Sequence, residues 1–382
     1  MDMKGLLNSA LMLLALLMVP SVSAQTPFTV TEVSQFDDPW SVAEMPDGRL
    51  LVTEAKGNLV IVDKEGGQSR PVSGVPDVAY GGQGGLGDVV LHPDFASNGM
   101  VYLSYAEAGV GDTRGAAVAR GVLDASGRRP ALKDVEVVWR QYPKLVGYGH
   151  YGHRMLFDDD GYLWITSGDR QKFTTAQDMQ SNSGKVLRLN DDGSVPDDNP
   201  FVDYYSKNPR VDRRGVYPQI WSLGHRNVLG LAVGLDGRLW EIEMGPAGGD
   251  ELNLIERGAN YGYPEVSNGD HYDGREMPDH DTRPEFNAPA LWWTPVISPG
   301  DMLIYRGDAF ADWKGNAIIA GLSSRAIVRV ELGDDGSARE LERYDMGARI
   351  RSVQEASDGS ILVLEDDYGD SKGRLLRLTP RS

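Results

Sequence analysis

The 382-residue chain contains six histidines, and two of them, His150 and His153, stand three positions apart in GHYGHRMLF (149–157). Such a pair can clip a metal ion, supply a catalytic base beside a bystander, or fill a loop. In an extended segment, residues three apart face opposite sides of the strand. His150, Gly152 and Arg154 then share one face, and His153 points away as a neighbour that shapes the rim. The spacing therefore argues against a metal clip.

Arginines form a second group. GHRNVLGL (224–231) opens with Arg226 and Asn227, and ARIRSVQE (348–355) carries Arg349 and Arg351, two apart and so on one strand face. If these segments meet His150 at one end of the fold, a small polyanionic ligand is the natural guest. The competing reading pairs each arginine with a nearby Asp or Glu, and for any single arginine it is the simpler one. A third stretch is EMGPAGGDELNLIERGANYGYP (243–264). Its Gly245-Pro246 turn exposes main-chain carbonyls, with Asp250 and Glu251 close by. Hard oxygen ligands of this kind suit calcium, not zinc or copper. The alternative is a glycine-rich turn followed by a solvated acidic pair.

Composition narrows the chemistry. There is no cysteine, which excludes thiol redox work and Cys-type zinc sites. A net charge of −18 argues against nucleic acid or an anionic membrane as partner. Residues 1–24 combine Lys4, an apolar run from Leu11 to Pro20, and a Val22-Ser23-Ala24 ending, and are expected to be a cleaved signal peptide. No later stretch is long enough to span a bilayer. The protein is thus expected in the periplasm or secreted.

The elements that must position these residues follow from a repeat. SVAEMPDGRLLVTE (41–54), HRMLFDDDGYLWITSGD (153–169), GLAVGLDGRLWEIEMG (230–245) and SVQEASDGSILVLEDD (352–367) each place an Asp-Gly pair between apolar strands. Looser copies occupy 87–105 and 303–321, and a second hairpin is expected after most of them. Six units of roughly 60 residues predict an all-β fold, a six-bladed β-propeller with four-stranded antiparallel blades. Residues 25–382 are read as one domain, with a strand near Phe28–Val33 completing the last blade. A two-sheet sandwich would leave the repeated hairpin pairs unexplained. The long insertions at 141–152, 190–216 and 245–300 are where chemistry is expected to sit.

With these motifs in order, the chain resembles the soluble PQQ-dependent sugar dehydrogenases, the glucose/sorbosone and aldose sugar dehydrogenase group. The motifs are GGQGGLGDVVLHPDF, GHYGHRMLFDDDGYLWITSGD, AQDMQSNSGKVLRLNDDGSVPDDNPF, SLGHRNVLGLA, EMGPAGGDELNLIERGANYGYP and RIRSVQEASDGSILVLEDD. The resemblance runs from about Pro39 to Leu378. It implies that His150 is the general base for the anomeric hydroxyl of an aldose, with hydride passing to the quinone. It implies that Gln83, Arg226, Asn227, Arg349 and Arg351 hold PQQ, and that the carbonyls of Gly245 and Pro246 bind calcium. Trp293 falls where the family has an aromatic beside cofactor and substrate, and Asp169 is a supporting candidate. An external electron acceptor is implied as well.

Three positions depart from the family pattern. Ser323, with Arg325 two residues on, stands near the place of a lysine. Gly149 replaces an acidic residue found before the base in some relatives, and Gly87 replaces a common leucine. Two other functions compete: a calcium-dependent propeller lactonase or hydrolase, and a non-catalytic carbohydrate-binding propeller. The first would want several Asp, Asn and Glu side chains holding calcium in the channel, where this chain offers His and Arg.

Overall fold

The Asp-Gly pairs act as hairpin turns because glycine accepts a left-handed backbone without penalty. Gly48, Gly161, Gly237 and Gly359 lie at φ between 78° and 82°. The aspartates of three of these turns also accept the N–H two residues on, Asp47 from Arg49, Asp236 from Arg238 and Asp358 from Ser360. The looser copies close differently. A short helix, Phe95–Asn98, joins one pair of strands, and a 3-10 turn, Ala311–Trp313, another.

The computed structural model describes residues 26–127, 129–212 and 215–381, so the expected signal at 1–24 lies outside the described residues. Six antiparallel sheets form the blades of a propeller. Their innermost strands are Pro39–Glu44, Leu86–Leu91, Gly152–Phe157, Val228–Val233, Pro299–Ile304 and Ile350–Glu355. Each neighbours the next, and the last neighbours the first, which closes the ring. Phe28–Gln35 pairs antiparallel with Arg374–Pro380, so the N-terminal strand completes the sixth blade as expected. The first blade differs, with three strands instead of four. Aliphatic clusters fill the spaces between blades, for example Leu51, Leu59, Leu86 and Leu103. No helix among the described residues is long and apolar enough to cross a membrane.

The innermost strands share a further feature. Each slips register against its neighbour near its start, between Pro39 and Ser41, Leu86 and Val89, Gly152 and Met155, Val228 and Gly230, Pro299 and Asp301, and Ile350 and Ser352. Bulges re-aim side chains and cluster beside functional sites. Here they turn Trp40, His153, Leu229 and Arg351 toward a cavity of about 210 Å³ at one end of the channel. Below them Ser41, Asp88, Arg154, Asp301 and Ser352 line a separate cavity of about 750 Å³ toward the other end.

Arg154 divides the two. Its Nε donates to the Leu229 carbonyl at 2.8 Å, and Nη1 donates to Ser41 and to Asp88, the latter at 3.2 Å. Nη2 donates to the Gly300 and Arg351 carbonyls and lies 3.2 Å from Asp301. One guanidinium from the third blade thus reaches all five others.

The insertions do not all sit at one end. The strand Lys185–Leu189 runs away from the end where His150 lies, since it pairs antiparallel with Leu163–Ser167, which leads to Asp169. The 190–216 stretch therefore leaves from the opposite end, where the Asp191 carbonyl accepts from Tyr102. Its expected place near the chemistry is corrected: of the three insertions, the 141–152 loop and the parts of 245–300 carrying Gly245–Gly248, Tyr272 and Thr294–Ser298 lie at the end of the smaller cavity.

Candidate active site

A repeated acidic residue shapes the end of the propeller that holds the smaller cavity. In four blades an Asp or Glu at the end of the second strand fixes the segment entering the innermost strand. Glu54 accepts the Asp37 N–H, Asp169 meets His150, Glu243 accepts the N–H groups of Arg226 and Asn227, and Asp366 accepts from Arg349. His150, Arg226, Asn227 and Arg349 are thus placed by one device reused around the ring.

His150 is the most constrained of them. Its Nδ1 lies 2.6 Å from Asp169 Oδ1, its backbone N–H donates to Gln83 Oε1 at 2.8 Å, and the residue is buried. Burial holds the imidazole pKa below the ordinary histidine value, Asp169 works in the opposite direction, and Arg226 and Arg170 add to the lowering. The ring is neutral near pH 7, and Asp169 commits Nδ1 as the protonated nitrogen, leaving Nε2 as the basic one. Asp169 Oδ1 is itself oriented by the Gln171 N–H.

The structure brings Gln83, Asn227, Arg349 and Arg351 to the wall of the smaller cavity, together with Trp40 and Tyr151. Asp366 lies 2.8 Å from Arg349 Nε and 3.6 Å from Arg351, so both arginines are partly paired. Asn227 is fixed by the Gly152 N–H, which donates to its side-chain oxygen. Arg226 stands beside this wall, with guanidinium bonds to the Met244 carbonyl at 2.9 Å and the Tyr272 hydroxyl at 3.4 Å. Its Nε is buried without a partner among the described residues.

Two expectations for the histidine segment are corrected. His150, Gly152 and His153 all have positive φ, 50°, 75° and 79°, and the register shift follows at once. Simple strand alternation therefore fails here. His153 does not point away: it lines the cavity with Gln83 and Arg351. Arg154 does not lie on the side of His150 but plugs the channel below. No signal of alternation could have revealed this, because bulges break the period of two on which that reading rests.

The glycine-rich loop lies next to this cavity. Gly245, Pro246, Gly248 and Asp250 line a cavity of about 390 Å³, which shares Met244 with the arginine-walled one. A Cβ on Gly245 would fall 2.1 Å from the Gly249 carbonyl oxygen, so the tight turn requires glycine. Asp250 accepts the N–H groups of Gly245 and Ser298 and thereby shapes the turn, while burial pushes its carboxyl up to about 6. Glu251 takes the other face of the strand. It joins a buried group around Glu241, Glu243 and Asn253, where His225, Glu241 and Glu243 could together hold a cation.

Trp293 is not brought to the cavity. Its indole is buried with Ala232, Trp240 and Ile319 between the fourth and fifth blades, and Nε1 donates to Glu340 at 2.6 Å. The expected place beside cofactor and substrate is corrected, because the indole packs into the apolar cluster between these blades. The departures have physical counterparts. A Cβ on Gly149 would meet the Gln171 amide at 2.3 Å, so Gln171 occupies the space of an acidic side chain. A Cβ on Gly87 would fall 2.7 Å from His153 Cγ, so this glycine makes room for that ring. Ser323 bonds Ser298, and Arg325 turns to the Gly347 carbonyl; neither takes the role of a lysine in the cavity wall.

The whole chain resembles known proteins in sequence and fold. The model of the Glucose / Sorbosone dehydrogenase family aligns with residues 36–377. The chain belongs to this family. The glucose/sorbosone dehydrogenase relatives include the aldose sugar dehydrogenase YliI of Escherichia coli K12, 37% identical over 380 residues that cover 97% of this chain and 98% of that one. The soluble aldose sugar dehydrogenase of Escherichia coli in the apo-form superposes with a TM-score of 0.83 at 36% identity, covering 93% of this chain and all of the other. The PQQ-bound form of the aldose sugar dehydrogenase from Streptomyces coelicolor superposes with a TM-score of 0.74 at 29% identity, covering 93% and 98%. As a member of the glucose/sorbosone dehydrogenase family, the chain is an oxidoreductase.

Proposed function

We propose that this chain is a PQQ- and calcium-dependent aldose dehydrogenase that oxidises the sugar at its anomeric carbon to the lactone, with His150 as general base. The observation that carries the reading is the neutral, buried His150 held through Nδ1 by Asp169 and tied to the wall of a cavity that also bears Arg349 and Arg351. The cavity residues fit the cofactor. PQQ is a flat tricarboxylate, and the wall offers two guanidinium groups and two amides, with a third guanidinium, Arg226, keeping a free Nε beside it. The carbonyl-rich turn at Gly245 and Pro246, backed by the desolvated Asp250, has the hard oxygen donors that calcium takes.

PQQ bound with calcium would supply the hydride acceptor. His150 then takes the hydroxyl proton on Nε2 while Asp169 steadies the imidazolium that forms. Arg349 and Arg351 would hold the PQQ carboxylates and Gln83 and Asn227 would add amide contacts, while Asp366 keeps both arginines in place and the two amides fix the backbone around the base. An external acceptor would then take up the electrons. The expected signal peptide assigns the enzyme to the periplasm or the exterior.

A lactonase fits the channel less well. Its candidate calcium ligands, Asp88 and Asp301, are both engaged by Arg154. The test is to mix purified apoprotein with PQQ and calcium and follow dye reduction by a panel of aldoses. Cofactor-dependent reduction is expected. No reduction with any aldose would contradict the proposal, and lactone hydrolysis with calcium alone would favour the hydrolase.

A further inference from the structure

Resting on the reading above, we infer that His153 is a second cavity histidine that contacts the bound quinone cofactor directly, donating a hydrogen bond from its neutral ring to a cofactor oxygen.

His153 carries polar atoms without an internal role. His153 is buried, lines the cavity with Arg351 and Gln83, and neither of its ring nitrogens has a hydrogen-bond partner among the described residues. Buried polar atoms are nearly always satisfied, and exceptions call for an explanation such as an absent ligand. The ring is not loosely placed. It stacks on Tyr151, with centroids 5.3 Å apart and planes 10° from parallel, and meets the Trp40 edge-to-face at 5.8 Å. Ser104 donates to the His153 carbonyl, and Gly87 leaves the space that the imidazole fills.

The backbone adds to this. His153 holds φ at 79°, which a residue with a β-carbon rarely adopts. The bulge at the start of the innermost strand sustains that conformation and keeps the ring at the cavity instead of in the core. Two packed aromatics, a glycine and a strained backbone thus present one imidazole whose nitrogens the protein leaves free. A neutral imidazole carries one N–H donor and one acceptor. Beside Arg349 and Arg351 the guest is anionic and rich in oxygen acceptors, so the donor finds its partner on the guest. This separates the roles of the pair: His150 is held by Asp169 for proton transfer, and His153, which no carboxylate holds among the described residues, serves as a binding group.

The test uses the mature full-length protein labelled with 15N-histidine. Imidazole 15N shifts are recorded for the apoprotein with calcium and after saturation with PQQ, and PQQ affinity is measured for wild type and His153→Phe, which keeps the ring but removes both nitrogens. The expected result is a changed His153 nitrogen resonance on PQQ binding and an affinity weakened about tenfold or more in the variant, the worth of a hydrogen bond to a charged acceptor. If His153→Phe does not fold, the wild-type resonances alone decide. Unmoved His153 signals in a wild-type protein saturated with PQQ would overturn the inference and leave the dehydrogenase reading intact. Failure of the wild type to bind PQQ at all would overturn that reading, and this inference with it.

Discussion

Asp169 Oδ1 and His150 Nδ1 lie 2.6 Å apart, although 19 residues separate them in the chain. The contact joins the end of the second strand of the third blade to the segment that enters its innermost strand. It fixes the tautomer and the direction of the ring, which a base requires before its pKa matters.

Replacing Asp169 by Asn should therefore lower kcat by about 10²–10⁴-fold, the usual worth of positioned base catalysis, while PQQ still binds. The pH profile supplies a second readout. Burial depresses the His150 pKa and Asp169 partly restores it. In wild type the acid limb of activity should therefore fall below 6.5, the ordinary histidine value. In Asp169→Asn it should move to still lower pH, because the influence that raises the pKa is gone. Steady-state kinetics from pH 4 to 8 checks both.

The cationic wall yields a complementary expectation. Arg349→Ala should weaken PQQ binding measured by equilibrium titration, with a smaller effect on turnover at saturating cofactor. Asp366→Asn should also weaken binding, less strongly, because Asp366 holds Arg349 and Arg351 without touching the guest. Equal affinity in Arg349→Ala and wild type would count against the cradle.

The propeller itself depends on Arg154. Removing its guanidinium in Arg154→Met leaves Asp88 and Asp301 buried without their partner, and the unfolding free energy should fall by about 3–5 kcal/mol. Burial already raises the Asp301 carboxyl to about 6 against the pull of Arg154. The deficit should therefore shrink below pH 6, where Asp301 can protonate. Urea titrations at pH 5 and 8 measure it.

The fit of Gly87 to His153 predicts coupling between them. Gly87→Ala should destabilise the protein by about 1–3 kcal/mol through overpacking, and the cost should be smaller in a His153→Ser background. His153 also bears on acid stability. Its pKa is pushed down to about 3 by burial, against 6.5 for the free side chain. Between these values the unfolded chain binds a proton that the folded one does not, so stability falls as pH drops from 6.5 toward 3. His153→Phe should remove that part of the slope.

Much of this was legible in the residues themselves. The Asp-Gly pairs announced the hairpins because their chemistry is local, and Phe28–Gln35 closed the ring as its pattern suggested. His150, Asn227, Arg349 and Arg351 could be read together because each stands at the entry to an innermost strand, whereas Gln83 was implied only by the family resemblance. Three things were not legible. The bulges that turn His153 toward the cavity depend on pairing between strands. The place of Trp293 depends on packing between the fourth and fifth blades. The closure of the channel by Arg154 depends on five blades at once. The acidic residue ending the second strand, in LLVTE, TSGD, EIE and LEDD, was a readable signal that the composition of an acidic chain concealed.

The most direct test of the account compares wild type and His150→Ala, both saturated with PQQ and calcium, for bound cofactor and for aldose-dependent dye reduction. The account predicts nearly equal PQQ binding and a loss of turnover of at least about 10²-fold in the variant. Wild-type turnover in His150→Ala would contradict it.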